Sequence, residues 1–218
     1  MLDVSQAKTL ISEVKADAIA HGRLEETWYK DHNHVFGAAE LAKAIADRIS
    51  GMDSSRIYVM TLLHDIGKIR EDREGRFHGI IGYEILKDID IDAARAALLH
   101  MFPWNKLPVF DDCRKMFFDK EADYNFVKNY AETYPCNDYD LLVQTADSFA
   151  DSRGLVTLEQ RAEDYAKRHG IDIDRKAFEP RENLKKYFDE KINGNIYDLF
   201  SVLNQRKSGF YMVSAGRD

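Results

Sequence analysis

The chain has 218 residues, which is long enough for one sizeable hydrophobic core and short enough for a single domain over residues 1–218. Hydrophobic residues make up 44% and charged residues 32% of the sequence, as in ordinary soluble globular proteins, and no apolar run approaches the roughly 20 residues that span a bilayer. The net charge of −7 gives no electrostatic reason to expect binding to nucleic acid.

Cysteine usage and the N-terminal sequence both favour a cytoplasmic protein without a membrane partner. Only Cys113 and Cys136 occur, so no disulfide framework is indicated and a reducing compartment is expected. Charged residues recur at close intervals between Met1 and Ala20, where a signal peptide would need an apolar core. The sequence does not indicate an oligomeric state.

Apolar residues at helical spacing predict an all-α fold. The first predicted helix covers Val4–Ala20, and the second runs from about His34 to Ile49. Asp53 or Ser54 is expected to cap a third helix that leads to His64. Further helices are predicted to begin at His78, to run from Ile91 to Met101, to lie within 110–135, to follow Asn137 or Asp138, and to cover Leu158–His169 and Asp174–Asn193. No strand-like alternation of useful length is present, so the prediction is a helical bundle with additional C-terminal helices.

The segment Thr61–Lys68 (TLLHDIGK) places two ionisable residues, His64 and Asp65, directly after an apolar run. Neighbouring residues on a helix lie about 100° apart, so one helix can aim both side chains at a point beside its axis. An imidazole nitrogen and a carboxylate oxygen aimed together suit a divalent metal of the zinc, iron or manganese type. The alternative is an ordinary helix end, with His64 near the C-terminal dipole and Gly67 as the cap.

Further residues of metal-binding type favour the metal site over the helix end. They recur in helical settings and are His34, His78, His100 and Asp147. His34 opens one predicted helix and His64 ends the next, so an antiparallel pair joined by a short turn would make these two residues neighbours. Asp147 lies within an apolar run, and a carboxylate buried there needs a partner.

In this order the residues resemble the H…HD…D pattern of the HD-domain phosphohydrolase superfamily. The residues at the pattern positions are His34, His64, Asp65 and Asp147. The segments that resemble the superfamily around them are HVFGAAELA (34–42), LLHDIGK (62–68) and QTAD (144–147). The resemblance covers a motif core of about residues 25–155 and leaves 156–218 as a C-terminal helical extension.

The resemblance implies an all-helical, metal-dependent hydrolase that acts on a small phosphorylated molecule, often a nucleotide. The four pattern residues would hold a divalent ion, either iron, manganese, zinc or magnesium. Two-metal members carry extra histidines where this chain has His78 and His100, and Asp65 could then bridge two ions. In the single-metal alternative, His78 caps a helix and His100 is a satisfied core histidine.

Two departures from the superfamily narrow the substrate class. After His100 the chain has Met-Phe-Pro-Trp in place of a Gly-Tyr-Pro signature and its preceding acidic motif, which disfavours the branch that acts on cyclic-di-GMP. Lys68 stands where a deoxynucleotide monophosphatase of the usual type has a glutamate, which weakens that assignment. The base, sugar and number of phosphates are not indicated.

Catalysis is expected to use Asp65 at the metal and Lys68 at the substrate phosphate. A divalent ion lowers the pKa of bound water to about 7, and Lys68 would meet the negative charge that develops on the phosphate oxygens. Arg70, Arg73 and Arg76 are weaker substrate-binding candidates. The chain lacks a nucleophilic Cys or Ser motif and a phosphate loop of the GxxxxGK[ST] type, so attack by water is the economical mechanism.

Two other classes compete with the enzyme. A regulatory module could keep the metal without turnover, but the complete ligand set and Lys68 argue against it. A purely structural zinc site favours a closed, cysteine-rich shell, and both cysteines are remote in sequence from the motif histidines.

Overall fold

The computed structural model describes residues 1–21, 32–68, 76–113, 117–169 and 175–210. Within these ranges the chain forms eleven α-helices, two 3₁₀ turns and one two-stranded antiparallel hairpin, which confirms the predicted all-α fold. The helices are α1 (Val4–Ala20), α2 (His32–Ala46), α3 (Ser54–Leu63), α4 (His78–Leu86), α5 (Ile91–Leu99), α6 (Phe110–Cys113), α7 (Glu121–Thr133), α8 (Asp138–Ser148), α9 (Leu158–His169), α10 (Glu179–Lys191) and α11 (Asp198–Phe210). The hairpin pairs β1 (Ala150–Asp151) with β2 (Gly154–Leu155), and the 3₁₀ turns are Pro103–Asn105 and Arg175–Phe178.

Short polar side chains fix where several helices begin. Asp3 caps α1 in a reciprocal box with Gln6, because each side chain accepts a hydrogen bond from the backbone N–H of the other residue. Asp53 caps α3 by accepting from two N–H groups of its first turn. Asn137 caps α8 in the same way, in a box with Asp140. The caps at Asp53 and Asn137 agree with the sequence-based expectation.

The helices that carry the predicted ligands pack against one another. α2 and α3 form a closely packed hairpin, since Ala38, Ala39 and Ala42 of α2 are completely buried and add little bulk between the two backbones. α8 lies against α2, α3 and α5, while α4 packs on α5. The first turn of α2, the C-terminal end of α3 and the C-terminal end of α8 therefore meet in one region.

A buried ion pair ties α3 to the start of α5. The guanidinium of Arg56 donates to both carboxylate oxygens of Asp90, at 2.6 and 2.5 Å. Asp90 also caps α5 through the N–H of Ala93 and accepts a hydrogen bond from the N–H of Leu2. One carboxylate thus fixes the N-terminus, α3 and α5 relative to one another.

The C-terminal helices share the main hydrophobic core with the predicted motif region. Leu184, Phe188 and Leu203 belong to the same buried cluster as the apolar residues of α1–α3. A second, aromatic cluster lies between α4, α5 and α7, and includes Phe77, Phe102, Phe118 and Tyr124. The single-domain organisation stays a prediction. Among the described helices, none combines the length and apolar character that crossing a membrane requires.

Candidate metal centre

His64 and Asp65 lie in the turn that ends α3. His64 is the C-cap residue of α3, and its ring nitrogen Nδ1 lies 2.6 Å from the carbonyl oxygen of Thr61. A carbonyl oxygen can only accept, so Nδ1 carries the hydrogen and, in the neutral ring, Nε2 carries the lone pair. His64 and Asp65 are both buried. The α3 end therefore presents one imidazole nitrogen and one carboxylate to the interior.

The same tautomer is set at two other histidines by backbone carbonyl groups. His34, in the first turn of α2, donates from Nδ1 to the carbonyl of Ala150 in β1 at 2.8 Å. His100, at the end of α5, donates from Nδ1 to the carbonyl of Ala97 at 2.9 Å. In metal sites, a hydrogen bond at the second ring nitrogen orients the ligating one. Both histidines are thus held with Nε2 available as a ligand atom.

The Nε2 atoms face one another in two close pairs. His34 and His64 approach to 3.2 Å, and His78 and His100 approach to 3.3 Å. Two ring nitrogens at this distance need either a proton or a metal ion between them, because their lone pairs otherwise repel each other. The first pair confirms that the α2–α3 hairpin makes His34 and His64 neighbours.

Asp65 lies between the two histidine pairs and turns one oxygen toward each. Oδ2 lies 3.3 Å from Nε2 of both His34 and His64. Oδ1 lies 3.3 Å from Nε2 of His100 and 3.5 Å from Nε2 of His78. Both oxygens are buried without a hydrogen bond of normal geometry among the described residues, although the Nζ atom of Lys68 forms an ion pair with Oδ2 at 2.7 Å. A buried carboxylate in this state needs cations.

Asp147, near the end of α8, completes the group on the His34 side. Its Oδ1 lies 3.1 Å from Nε2 of His34 and 3.6 Å from Nε2 of His64. Two ligand atoms bound at about 2.0–2.2 Å to one ion lie roughly 2.8–3.6 Å apart at octahedral or tetrahedral angles. The separations within this group match that spacing. Four imidazole nitrogens and two carboxylates also form a donor set that suits iron, manganese or zinc, so the residues present fit a divalent metal.

The two buried carboxylates of the cluster favour the binding of a cation. Burial opposes the charged form of His64, but Asp65 and Asp147 outweigh it and raise the pKa of this imidazole to about 10. Burial raises the pKa of both carboxyls, yet Lys68 beside Asp65 and His34 beside Asp147 bring each pKa well below its usual range. Both carboxylates are therefore ionised at neutral pH, and they attract either a proton or a metal ion.

Close backbone packing at Gly67 sets the position of His78. A β-carbon at residue 67 would lie 1.9 Å from the carbonyl oxygen of His78 and 2.6 Å from the backbone nitrogen of Gly82. The turn after Asp65 thus lies directly against the first turns of α4, where His78 is the first residue. Only glycine permits this approach, which brings His78 within reach of Asp65.

The predicted substrate-binding cations differ in where they lie. Lys68 is beside Asp65, with a side chain that is 32% exposed, so its ammonium lies at the rim of the buried cluster. Arg76 donates two hydrogen bonds to Glu84 of α4, each of 2.9 Å, and its role toward substrate stays a prediction. Arg70 and Arg73 lie outside the described residues.

Sequence reasoning missed Arg161 of α9. Its guanidinium donates to the carbonyl of Ala150, the group that also orients His34, and its Nη2 atom lies 3.7 Å from Oδ1 of Asp147. The signal was absent because Arg161 belongs to a strongly charged helix in which no residue stands out. One of its two contacts is with the hairpin, which is too short to show an alternating pattern.

The comparison with family models agrees with this geometry. The model described as HD domain matches residues 32–151, which is more than half of the chain and includes all six clustered residues. No match was found among curated proteins or among solved structures. With the matched residues and the His and Asp clusters both in place, the chain belongs to the HD domain family.

Proposed function

We propose that this protein is a metal-dependent phosphohydrolase that hydrolyses a phosphate ester or phosphoanhydride, with a nucleotide as its substrate and water as the nucleophile. Members of the family are typically metal-dependent hydrolases. The observation that carries the proposal is Asp65, whose two buried oxygens face two separate pairs of histidines. This arrangement favours two ions, one with His34, His64 and Asp147 and the other with His78 and His100.

The two aspartates of the cluster would bind the metal ions, and Lys68 would bind the substrate. A bound divalent ion would supply hydroxide near neutral pH, because it lowers the pKa of water from about 16 to about 7. Asp65 and Asp147 stay ionised, since their pKa values lie well below the usual range, and so they act as ligands and not as proton acceptors. Lys68, at the rim, is placed to contact phosphate oxygens and to stabilise their developing negative charge.

We also infer that the protein acts in the cytoplasm. Cys136 is a free thiol, and the sequence offers no disulfide framework, which agrees with a reducing compartment.

Phosphate release tests the proposal directly. The purified protein is loaded with Mn²⁺ or with Fe²⁺ under reducing conditions. Inorganic phosphate is then measured after incubation with nucleoside mono-, di- and triphosphates and with other phosphate esters. We expect that phosphate release requires metal and is lost in Asp65→Asn. The control is Asp88→Asn, which alters an exposed aspartate in the turn after α4 and should leave phosphate release unchanged. Metal-loaded protein that releases phosphate from none of these substrates would instead favour a regulatory module.

A further inference from the structure

Arg161 and His34 share one hydrogen-bond acceptor. The carbonyl of Ala150 accepts from Nδ1 of His34 at 2.8 Å and also from Nη1 of Arg161. A carbonyl oxygen has two lone pairs, so both donors can be satisfied together. Ala150 is completely buried, so the position of its carbonyl depends on these protein partners.

The other end of the guanidinium lies against a second ligand of the same group. Nη2 of Arg161 is 3.7 Å from Oδ1 of Asp147, the oxygen that lies 3.1 Å from Nε2 of His34. The planar side chain of Arg161 therefore contacts both the carbonyl that orients His34 and the carboxylate of Asp147. Its fixed fork suits such paired contacts better than a single ammonium does.

Arg161 comes from a helix start that is itself well held. In the first turn of α9, Thr157 and Gln160 form a reciprocal cap, with bonds of 2.9 and 3.2 Å between their side chains and backbone N–H groups. Leu158 and Ala162 are buried on either side of Arg161 in sequence. α9 also lies beyond residue 151, where the family match ends.

We propose that Arg161 is a positioning residue for the metal group formed by His34, His64 and Asp147. By fixing the Ala150 carbonyl it holds the His34 ring with Nε2 toward the group, and by contacting Asp147 it holds that carboxylate in place. The C-terminal extension is thus required for full metal affinity. This inference rests on the metal site of the proposed function but not on hydrolysis.

Metal titration separates this role from simple charge balance. A positioning residue raises metal affinity, because oriented ligands bind better. A counter-charge that only neutralises Asp147 competes with the metal, so its removal would tighten binding. The sign of the change in the dissociation constant for Mn²⁺ therefore decides between the two.

The experiment titrates metal-free protein with Mn²⁺ alone and follows free Mn²⁺ by electron paramagnetic resonance. We expect Arg161→Met to raise the dissociation constant about tenfold or more, within the roughly 10–100-fold range of such supporting residues. Arg161→Lys should fall between wild type and Arg161→Met, since lysine keeps the charge but offers only one contact point. Lys167→Met, an exposed lysine on the same helix, is the matched control and should leave the constant unchanged.

Circular dichroism and ¹⁵N NMR of the histidine rings complete the test. Circular dichroism confirms folding, and the Nδ1–H signal of His34 should exchange with water faster in Arg161→Met than in wild type. If Arg161→Met does not fold, the intermediate affinity of Arg161→Lys carries the test. Unchanged or tighter Mn²⁺ binding in both variants would overturn only the proposed role of Arg161. Wild-type protein that binds no Mn²⁺ would overturn the proposed metal site as well.

Discussion

At the scale of single residues, Asp65 creates a need for positive charge that Lys68 meets only in part. The ammonium of Lys68 reaches Oδ2, while Oδ1 faces the imidazoles of His78 and His100. Burial lowers the pKa of His100, so this imidazole is neutral at physiological pH. An ionised carboxylate with one oxygen beside a neutral imidazole is therefore most stable when a cation binds there.

Lys68 should affect turnover without affecting metal content. Its side chain is partly exposed at the rim, where a phosphate group could reach it, whereas the clustered histidines and aspartates are buried. We expect Lys68→Met to lower kcat by about 10-fold or more, since it removes a charge that stabilises the transition state. Metal analysis should show the wild-type content. Lys8→Met, an exposed lysine of α1, is the control, and equal loss of bound metal in Lys68→Met would show that Lys68 supports the metal instead.

The raised pKa of His64 predicts how metal affinity depends on pH. In the metal-free protein this pKa is about 10, so at neutral pH the metal must displace a proton, while Asp65 and Asp147 hold none. The affinity for Mn²⁺ should therefore rise with pH, by up to about tenfold per unit for each proton displaced, and should level off only near pH 10. Titrations from about pH 6.5 to about pH 8.5 measure this slope, and an affinity independent of pH over that range would contradict it.

Much of this residue-level picture was open to prediction. Imidazoles and carboxylates that recur in helical settings predict six candidate ligands, and the structure brings all six together: His34, His64, Asp65, His78, His100 and Asp147. The tautomers of His34, His64 and His100 were not predictable, because each depends on a carbonyl partner. The partner of His34 is Ala150, which lies 116 residues further along the chain.

At the scale of elements, the turn after α3 crosses α4 at Gly67, and this crossing determines whether His78 can bind a metal ion. We expect Gly67→Ala to destabilise the fold by about 1–3 kcal/mol or more, because the new β-carbon meets the backbone of His78 and Gly82 and not a flexible side chain. Since α4 must move, metal content should also fall. Urea unfolding and metal analysis measure the two effects.

Gly82→Ala is the control at the same crossing, since its β-carbon would come no nearer than 3.0 Å to another atom, the Cβ of Ala97. It should cost less stability and leave metal content closer to wild type. Wild-type stability and metal content in Gly67→Ala would contradict the role of this crossing.

Helix positions were better predicted than the connections between them. Val4–Ala20 and Leu158–His169 have the predicted bounds, since apolar spacing and polar flanks agree there. The predicted Asp174–Asn193 helix instead begins as the 3₁₀ turn Arg175–Phe178 and continues as α10. Pro180, near the start of α10, has no N–H to donate and is best accommodated in a first helical turn, which explains the division.

At the scale of the whole molecule, the C-terminal region contributes to the main core and to the contacts that hold the candidate metal site. It supplies Leu184 and Phe188 to the main core, and Tyr187 of α10 donates to Asp138 at the start of α8. Arg161 extends this support to the candidate metal group. The sequence motif indicated the ligands, but the supporting contacts depend on packing between distant segments, which local patterns do not encode.

Anomalous X-ray diffraction from crystals soaked in Mn²⁺ tests the central claim most directly. Two peaks about 3.5–4 Å apart are expected, one on each side of the Asp65 carboxylate. The first should lie beside His34, His64 and Asp147, and the second beside His78 and His100. A single peak on the His34 side would leave a mononuclear site, and the absence of any peak within the cluster would contradict the account.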